Sequence, residues 1–113
     1  MGCLFCNVLE KKIPADVVYE DEHTLAFRDI RPVAPTHVLV IPRKHIAAIH
    51  ELADDDADLM GKVILAARNV AKKLDLEAKG YRLVVNDGDQ AGQTVHHIHV
   101  HVLGGRNMSW PPG

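Results

Sequence analysis

Between Val95 and Leu103 the chain runs Val-His-His-Ile-His-Val-His-Val-Leu. In an extended strand alternate side chains share a face, so His97, His99 and His101 project together while Ile98, Val100 and Val102 project oppositely. Successive imidazoles on that face stand about 6.6 Å apart along the strand. Imidazole titrates near neutrality and can act as a nucleophile, a proton carrier or a metal ligand. An expression tag would not alternate with aliphatic residues inside the chain, just before Gly104-Gly105. The pattern predicts a strand with an aliphatic back and a reactive front.

Other residues suggest partners for those imidazoles. The stretch from Asn86 to Thr94 is longer than a tight hairpin needs, and Gly92 lets backbone N–H groups approach an anion. Gln93 and Thr94 add side-chain donors beside the histidines, so the loop is a candidate phosphate cradle. His37 follows Pro35-Thr36 and opens a second strand, at a sheet end. Cys3-Leu4-Phe5-Cys6 has the C-x2-C spacing that lets two thiolates grip one zinc ion. The same pair also reads as two reduced, partly buried thiols. A redox motif is disfavoured, because no thioredoxin-like βαβ pattern accompanies it. Asp54-Asp55-Asp56 reads as helix capping, Lys11-Lys12 and Lys72-Lys73 as solvated charge, and His23 and His50 as surface residues.

The elements that position these groups follow from periodicity. Cys3 to Lys12 predicts a short helical turn, ended before Ile13-Pro14. Val17–Glu20 and Thr24–Asp29 read as strands joined by a turn at 21–23, and His37–Ile41 as a β-branched strand bounded by Pro42. Leu59, Met60, Val63, Ile64, Ala67, Val70, Ala71 and Leu74 keep the spacing of one buried helix face. The aspartates at 54–56 cap its start, and Gly80 offers a terminator. Tyr81–Val85 is a further strand, and the Pro-rich end from Arg106 to Gly113 is irregular. The sum is one α+β domain over residues 1–113: an antiparallel, meander-like sheet with one long helix and a short N-terminal one.

Length and composition set limits. A chain of 113 residues with 47% hydrophobic residues suits one domain with a real core. A formal charge of −2 supplies no electrostatic reason to bind nucleic acid or an anionic membrane. No apolar run approaches a membrane span, no signal peptide is visible, and Met1-Gly2 lacks the Ser or Thr of a myristoylation pattern, having Cys6 there. A cytoplasmic protein with reduced thiols is expected.

His97-Ile98-His99-Val100-His101-Val102-Leu103 resembles the His-φ-His-φ-His-φ-φ signature of the histidine-triad (HIT) superfamily, φ being apolar. The likeness runs nearly end to end. Ile13-Pro14-Ala15, Ala26-Phe27-Arg28-Asp29-Ile30, Ala34-Pro35-Thr36-His37, Gly80-Tyr81-Arg82, Val84-Val85-Asn86, Leu103-Gly104-Gly105-Arg106 and Trp110-Pro111-Pro112-Gly113 are similar to the Hint branch. His96 departs from it, standing where that branch often has an aromatic.

The resemblance implies a HIT fold and a hydrolase of purine nucleoside 5'-phosphoramidates that releases a nucleoside monophosphate and an amine. It makes His99 the nucleophile that forms a nucleotidyl-histidine intermediate, with His37 and His101 flanking the phosphate. It assigns Asn86, Gly92, Gln93 and Thr94 to the phosphate, Thr94 also to the leaving group, and Asp29 and Ile30 to ribose and base, with Phe27 and Leu39 as walls. No cofactor is implied for catalysis. A structural zinc is implied on Cys3, Cys6, His45 and His97, as is a homodimer with Trp110 reaching the partner. Relatives of the same fold include dinucleoside polyphosphate hydrolases, nucleotidyl transferases and nucleotide-binding modules. The Trp110-Pro111-Pro112-Gly113 tail and the intact histidine set favour the phosphoramidase.

Overall fold

Strand alternation decides which side of the sheet each residue serves. The computed structural model describes residues 2–113; Met1, and with it part of the Met1-Gly2 pair, lies outside them. Five strands form one antiparallel sheet: β1 (Val17–Glu20), β2 (Thr24–Arg28), β3 (Thr36–Pro42), β4 (Tyr81–Val84) and β5 (Val100–Gly104), in the order β1-β2-β3-β5-β4. The meander holds for β1 to β3, and β5 then enters between β3 and β4. That central place pairs Leu39 with His101 on one side and Val84 with His101 on the other.

Both faces of the sheet are covered. Val38, Val40, Val100 and Val102 pack against Val63, Ala66, Ala67, Val70 and Ala71 of the long helix α2 (Ala57–Lys73). Leu25, Phe27, Leu39 and Ile41 point the other way and pack against Phe5 and Val8 of the short helix α1 (Leu4–Leu9). A strand buried on both faces needs continuous apolar residues, which explains the unbroken run in β3. Val100 and Val102 alternate with His101 as expected, but β5 begins only at Val100. Residues 95–97 form a bend, and His97 turns to a separate cluster with Cys3, Cys6 and His45 instead of sharing a strand face with His99 and His101.

Three further local features differ from the sequence reading. The helix stops seven residues before Gly80, because Asp75 takes a left-handed conformation at φ 60°. The N–H groups of Asp75 and Leu76 then bond back to the carbonyls of Lys72 at 3.2 Å and Ala71 at 2.9 Å, closing the last turn. Ile64, placed on the buried face, is 43% exposed, and Ala66 takes its share of the core. Asp56, expected as a cap for α2, turns its carboxylate to the Ala53 N–H and to Lys44, each at 2.9 Å. Asp21 also shapes the β1–β2 turn, accepting from the N–H groups of His23 and Thr24, each at 2.8 Å.

Candidate active site

Three carbonyl or amide contacts decide how the imidazoles hold their protons. A carbonyl oxygen only accepts, so Nδ1 of His99, 2.8 Å from the His97 carbonyl, carries the proton and donates it there. The lone pair of a neutral His99 is thereby left on Nε2, free to attack an electrophile. Phe5 stands edge-on to the His99 ring, with centroids 5.1 Å apart at 90°.

The His37 ring is set by the opposite kind of contact. Its Nδ1 accepts the Val33 N–H at 3.1 Å, so Nε2 holds the proton and donates to Nδ1 of His101 at 2.9 Å. His101 is then left with its proton on Nε2. The carboxylate of Asp29 lies 3.4 Å from Nε2 of His37 and accepts the Arg31 N–H at 2.8 Å. Burial pushes the His37 imidazole below its usual value, and Asp29 opposes that shift. Burial also lowers His101, with His99 and His37 adding to the effect, to about 4. The dyad is therefore neutral at pH 7 in the free protein. An imidazole that titrates near neutrality is therefore not what this pair offers before an anion binds.

A cavity of about 640 Å³ opens onto these rings. His99, His101, Thr94 and Asp29 are joined in its polar lining by Asp16, Arg28 and Arg31, and Phe5, Phe27 and Leu39 are among its apolar walls. Ile30 stands at its edge, 91% exposed. A volume of this order suits a drug-sized or mononucleotide ligand.

The loop expected to cradle phosphate is only partly turned toward the cavity. Thr94 lines it, while Asn86, Gly92 and Gln93 do not. The Gln93 side chain is committed elsewhere: its amide donates to the carbonyls of Ala47 at 2.8 Å and Val95 at 3.1 Å, and its oxygen accepts the Gly88 N–H at 2.9 Å. Gln93 thus braces the loop and has no free side-chain donor. Gly92 takes φ 86° at the end of the turn Asp89–Ala91, where a residue with a Cβ is strained. The loop is fastened from outside by Asp87, whose carboxylate meets Nδ1 of His50 at 2.8 Å and its N–H at 2.9 Å.

His97 faces away from the cavity into a second cluster. Its Nε2–H donates to the Pro42 carbonyl at 2.8 Å, which leaves the Nδ1 lone pair free. That atom lies 3.4 Å from Cys3 Sγ, 3.7 Å from Cys6 Sγ and 3.1 Å from Nδ1 of His45, while Cys6 Sγ to His45 Nδ1 is 3.4 Å. Ligands of one tetrahedral zinc ion, with Zn–N about 2.0 Å and Zn–S about 2.3 Å, stand about 3.3–3.8 Å apart. Four of the six donor separations lie between 3.1 and 3.7 Å and all six lie within 4.8 Å, so the donor set suits that ion. Asp29, His37 and His101 are also close enough to share a metal. They fit it poorly, because a neutral His37 has its only ring lone pair occupied by Val33.

A HIT domain profile matches residues 10–108. The chain belongs to the HIT family. This HIT protein is 46% identical over 110 residues to an uncharacterized HIT-like protein of Synechococcus elongatus, covering 97% of this chain and 96% of that one. A HIT family hydrolase from Legionella pneumophila superposes with TM-score 0.97 at 54% identity, covering 99% of this chain and all of the other. A histidine triad nucleotide-binding protein from Candida albicans superposes at 0.83 with 31% identity, over 97% of this chain and 83% of that one.

Several residues of the HIT site escaped sequence reasoning. Phe5 reads only as a helix residue between two cysteines, and its contact with His99 depends on how α1 docks. Pro42 and Val33 act through backbone atoms, which leave no mark on residue type. The His50–Asp87 fastener joins residues far apart in the chain, with no periodic signal connecting them.

Proposed function

We propose that this HIT protein is a hydrolase of purine nucleoside 5'-phosphoramidates that works through a covalent nucleotide on His99. The observation that carries the reading is the His99 tautomer: a proton fixed on Nδ1 by the His97 carbonyl and a lone pair on Nε2 at the cavity wall. The solved relatives named as hydrolase and nucleotide-binding protein support the same class of reaction.

In this mechanism Nε2 of His99 attacks the α-phosphorus in line with the amine. A nitrogen–phosphorus bond forms to His99 and the one to the amine breaks. Water then cleaves the nucleotidyl-histidine and releases the monophosphate. His101 Nε2–H donates to a non-bridging oxygen, an interaction worth about 2.7–4 kcal/mol when aimed at developing charge. The bound phosphate is negative and raises the proton affinity of the neutral His37–His101 pair. That pair, through the proton it gains, is the source for the departing amine, with Thr94 beside it. Asp29 holds the ribose, and the base lies among Phe27, Leu39 and Ile30. Asn86, Gly92 and Gln93 act on the phosphate through the loop that Gln93 braces.

Zinc suits Cys3, Cys6, His45 and His97, and four protein ligands leave no open position, so its contribution is to brace. The reaction itself uses side chains alone. A homodimer of the Hint type is supported by the edge position of β4 and by Ile64 at 43%, Leu65 at 48% and Trp110 at 80% exposure. Each chain acts as a single HIT domain. Among the described residues no helix is long and apolar enough to cross a membrane. The two free cysteines suit a reducing, cytoplasmic setting.

The test is release of AMP from adenosine 5'-phosphoramidate. Wild type should turn over, and His99→Ala should lose activity by roughly 10⁴-fold or more. AMP binding without turnover in the wild type would replace the hydrolase with a binding module. Release of AMP from a dinucleoside polyphosphate but not from the phosphoramidate would move the chain to the other hydrolase class.

A further inference from the structure

His97 belongs to two sites at once. Its ring faces Cys3, Cys6 and His45, and its carbonyl holds the Nδ1 proton of His99. A second link runs through Phe5, which lies between the two cysteines in sequence. Its ring sits 6.1 Å from that of His97 and 5.1 Å from that of His99, and it lines the nucleotide cavity. Leu4 and Val8 of the same helix line the cavity as well. Whatever shifts the cysteines therefore shifts both the nucleophile's anchor and a wall of its pocket.

The cysteines are placed to react with each other. Cys3 sits at the N-cap of α1 and its sulfur accepts the Cys6 N–H at 3.4 Å. Donor atoms in the cluster all lie within 4.8 Å of one another, and both residues are half-buried and reachable by a small oxidant. A disulfide bond is about 2.05 Å long, so closing one draws the sulfurs together and leaves neither able to bind as a thiolate.

We propose that Cys3 and Cys6 form an oxidant-sensitive catch on the nucleotide site. The proposal rests on the reading of the cavity and His99 given above. The oxidant is a hydroperoxide. One thiolate attacks a peroxide oxygen, a sulfur–oxygen bond forms, the oxygen–oxygen bond breaks, and the departing oxygen is protonated. The second thiolate attacks that sulfur, the disulfide forms and hydroxide leaves as water. The cysteines lose two electrons and the peroxide gains them. Two of the three groups facing the His97 ring are then gone. The fully buried Nδ1 of His97 is left without partners apart from His45, a costly state that the ring relieves by turning. The carbonyl that fixes the His99 tautomer moves with it, and Phe5 is pulled from the cavity wall.

The experiment uses the full chain loaded with zinc and treated with hydrogen peroxide. Intact mass, zinc captured by a chromophoric chelator, AMP affinity by calorimetry and the His99 ring nitrogens by NMR are read on the same sample. Expected are a loss of about 2 Da, loss of zinc in step with it, and AMP binding roughly tenfold weaker. The His99 Nδ1–H signal should shift, and dithiothreitol should reverse every change. In the Cys3→Ser/Cys6→Ser protein peroxide should leave AMP affinity where it began. A disulfide that forms with AMP affinity and the His99 signals unchanged overturns the proposal. So does failure to form a disulfide, or an equal response in the double variant. If that variant does not fold, reversal by dithiothreitol in the wild type decides, since methionine oxidation is not reversed by it. Untreated protein that fails to bind AMP defeats the nucleotide reading, and the His99 signals alone then judge the catch.

Discussion

Nε2 of His37 stands 2.9 Å from Nδ1 of His101, and the N–H of Val33 determines that the proton between them starts on His37. The two rings work as one unit, and their substitutions should not add. His37→Ala should lower kcat for the phosphoramidate by roughly 10²-fold, as loss of an acid–base partner does. His101→Ala should cost at least as much. The double variant should be little worse than His101→Ala alone. A double-mutant cycle measures the coupling, and strictly additive losses would separate the two rings.

Stability should fall between pH 6.5 and pH 4 because of His101. Its folded value of about 4 lies below the ordinary 6.5, so the unfolded chain takes up that proton first. The stabilising contribution is complete above 6.5 and lost as pH falls through 4. Its size is on the order of 3 kcal/mol. The low carboxylates Asp21, Asp56 and Asp87 lose their contributions only below about 3.8, so the two windows separate. Urea denaturation of His101→Gln should show a flatter profile from pH 6.5 to 4 than wild type. Parallel profiles would remove His101 as the cause.

His50 carries the opposite sign. Its hydrogen bond and charge contact with Asp87 raise its value above 6.5. The stabilisation is present in full below 6.5 and disappears as pH rises through the raised value. His50→Gln should therefore lose stability at pH 6 and match wild type at pH 9. The loop carrying Thr94 should exchange its amide hydrogens faster in that variant at pH 6, which hydrogen–deuterium exchange would read.

Zinc should bind one ion per chain and raise Tm, with His45→Ala shifting the response to higher zinc concentration. Calorimetry across a series of free zinc concentrations measures this. A Tm that is flat from strong chelator to excess zinc would leave Cys3 and Cys6 as plain thiols.

Two glycines should respond in opposite directions to alanine. Gly61 lies inside α2 with nothing within 4 Å of a built Cβ, so Gly61→Ala should stabilise by about 0.5–1 kcal/mol. At Gly104 a Cβ would meet Leu76 Cδ2 at 2.7 Å and Cγ at 3.2 Å. Leu76 is buried in the core, so Gly104→Ala should destabilise by about 1–3 kcal/mol. Chemical denaturation tests both.

The parts legible in the sequence are those where a period or a spacing carries the information. Val100 and Val102 alternate with His99 and His101, which places the faces correctly before any fold is known. Val63, Ala67, Val70 and Ala71 do the same for α2. Legibility fails where a local conformation or a distant partner decides. Asp75 ends α2 in a left-handed conformation better suited to glycine, so the residue type at 75 carries no sign of the stop. Ile64 fits the helix period and still lies outside the covered stripe. Gln93 looks like a phosphate donor by type, yet its amide closes its own loop. Strand order is set by pairings between distant segments, and no property of residues 100–104 announces that they will lie between β3 and β4.

That insertion has a kinetic consequence. Until residues 100–104 are in place, β3 and β4 each present an open edge, and His37 has no His101 to face. The strand that carries the reactive rings is also the one whose arrival joins β4 to the rest of the sheet. Such long-range pairing is slow to form and leaves edges able to recruit a neighbouring chain meanwhile. A newly made molecule therefore closes the inner edges of β3 and β4 and brings His101 to His37 in the same step, which leaves only β1 and β4 as outer edges.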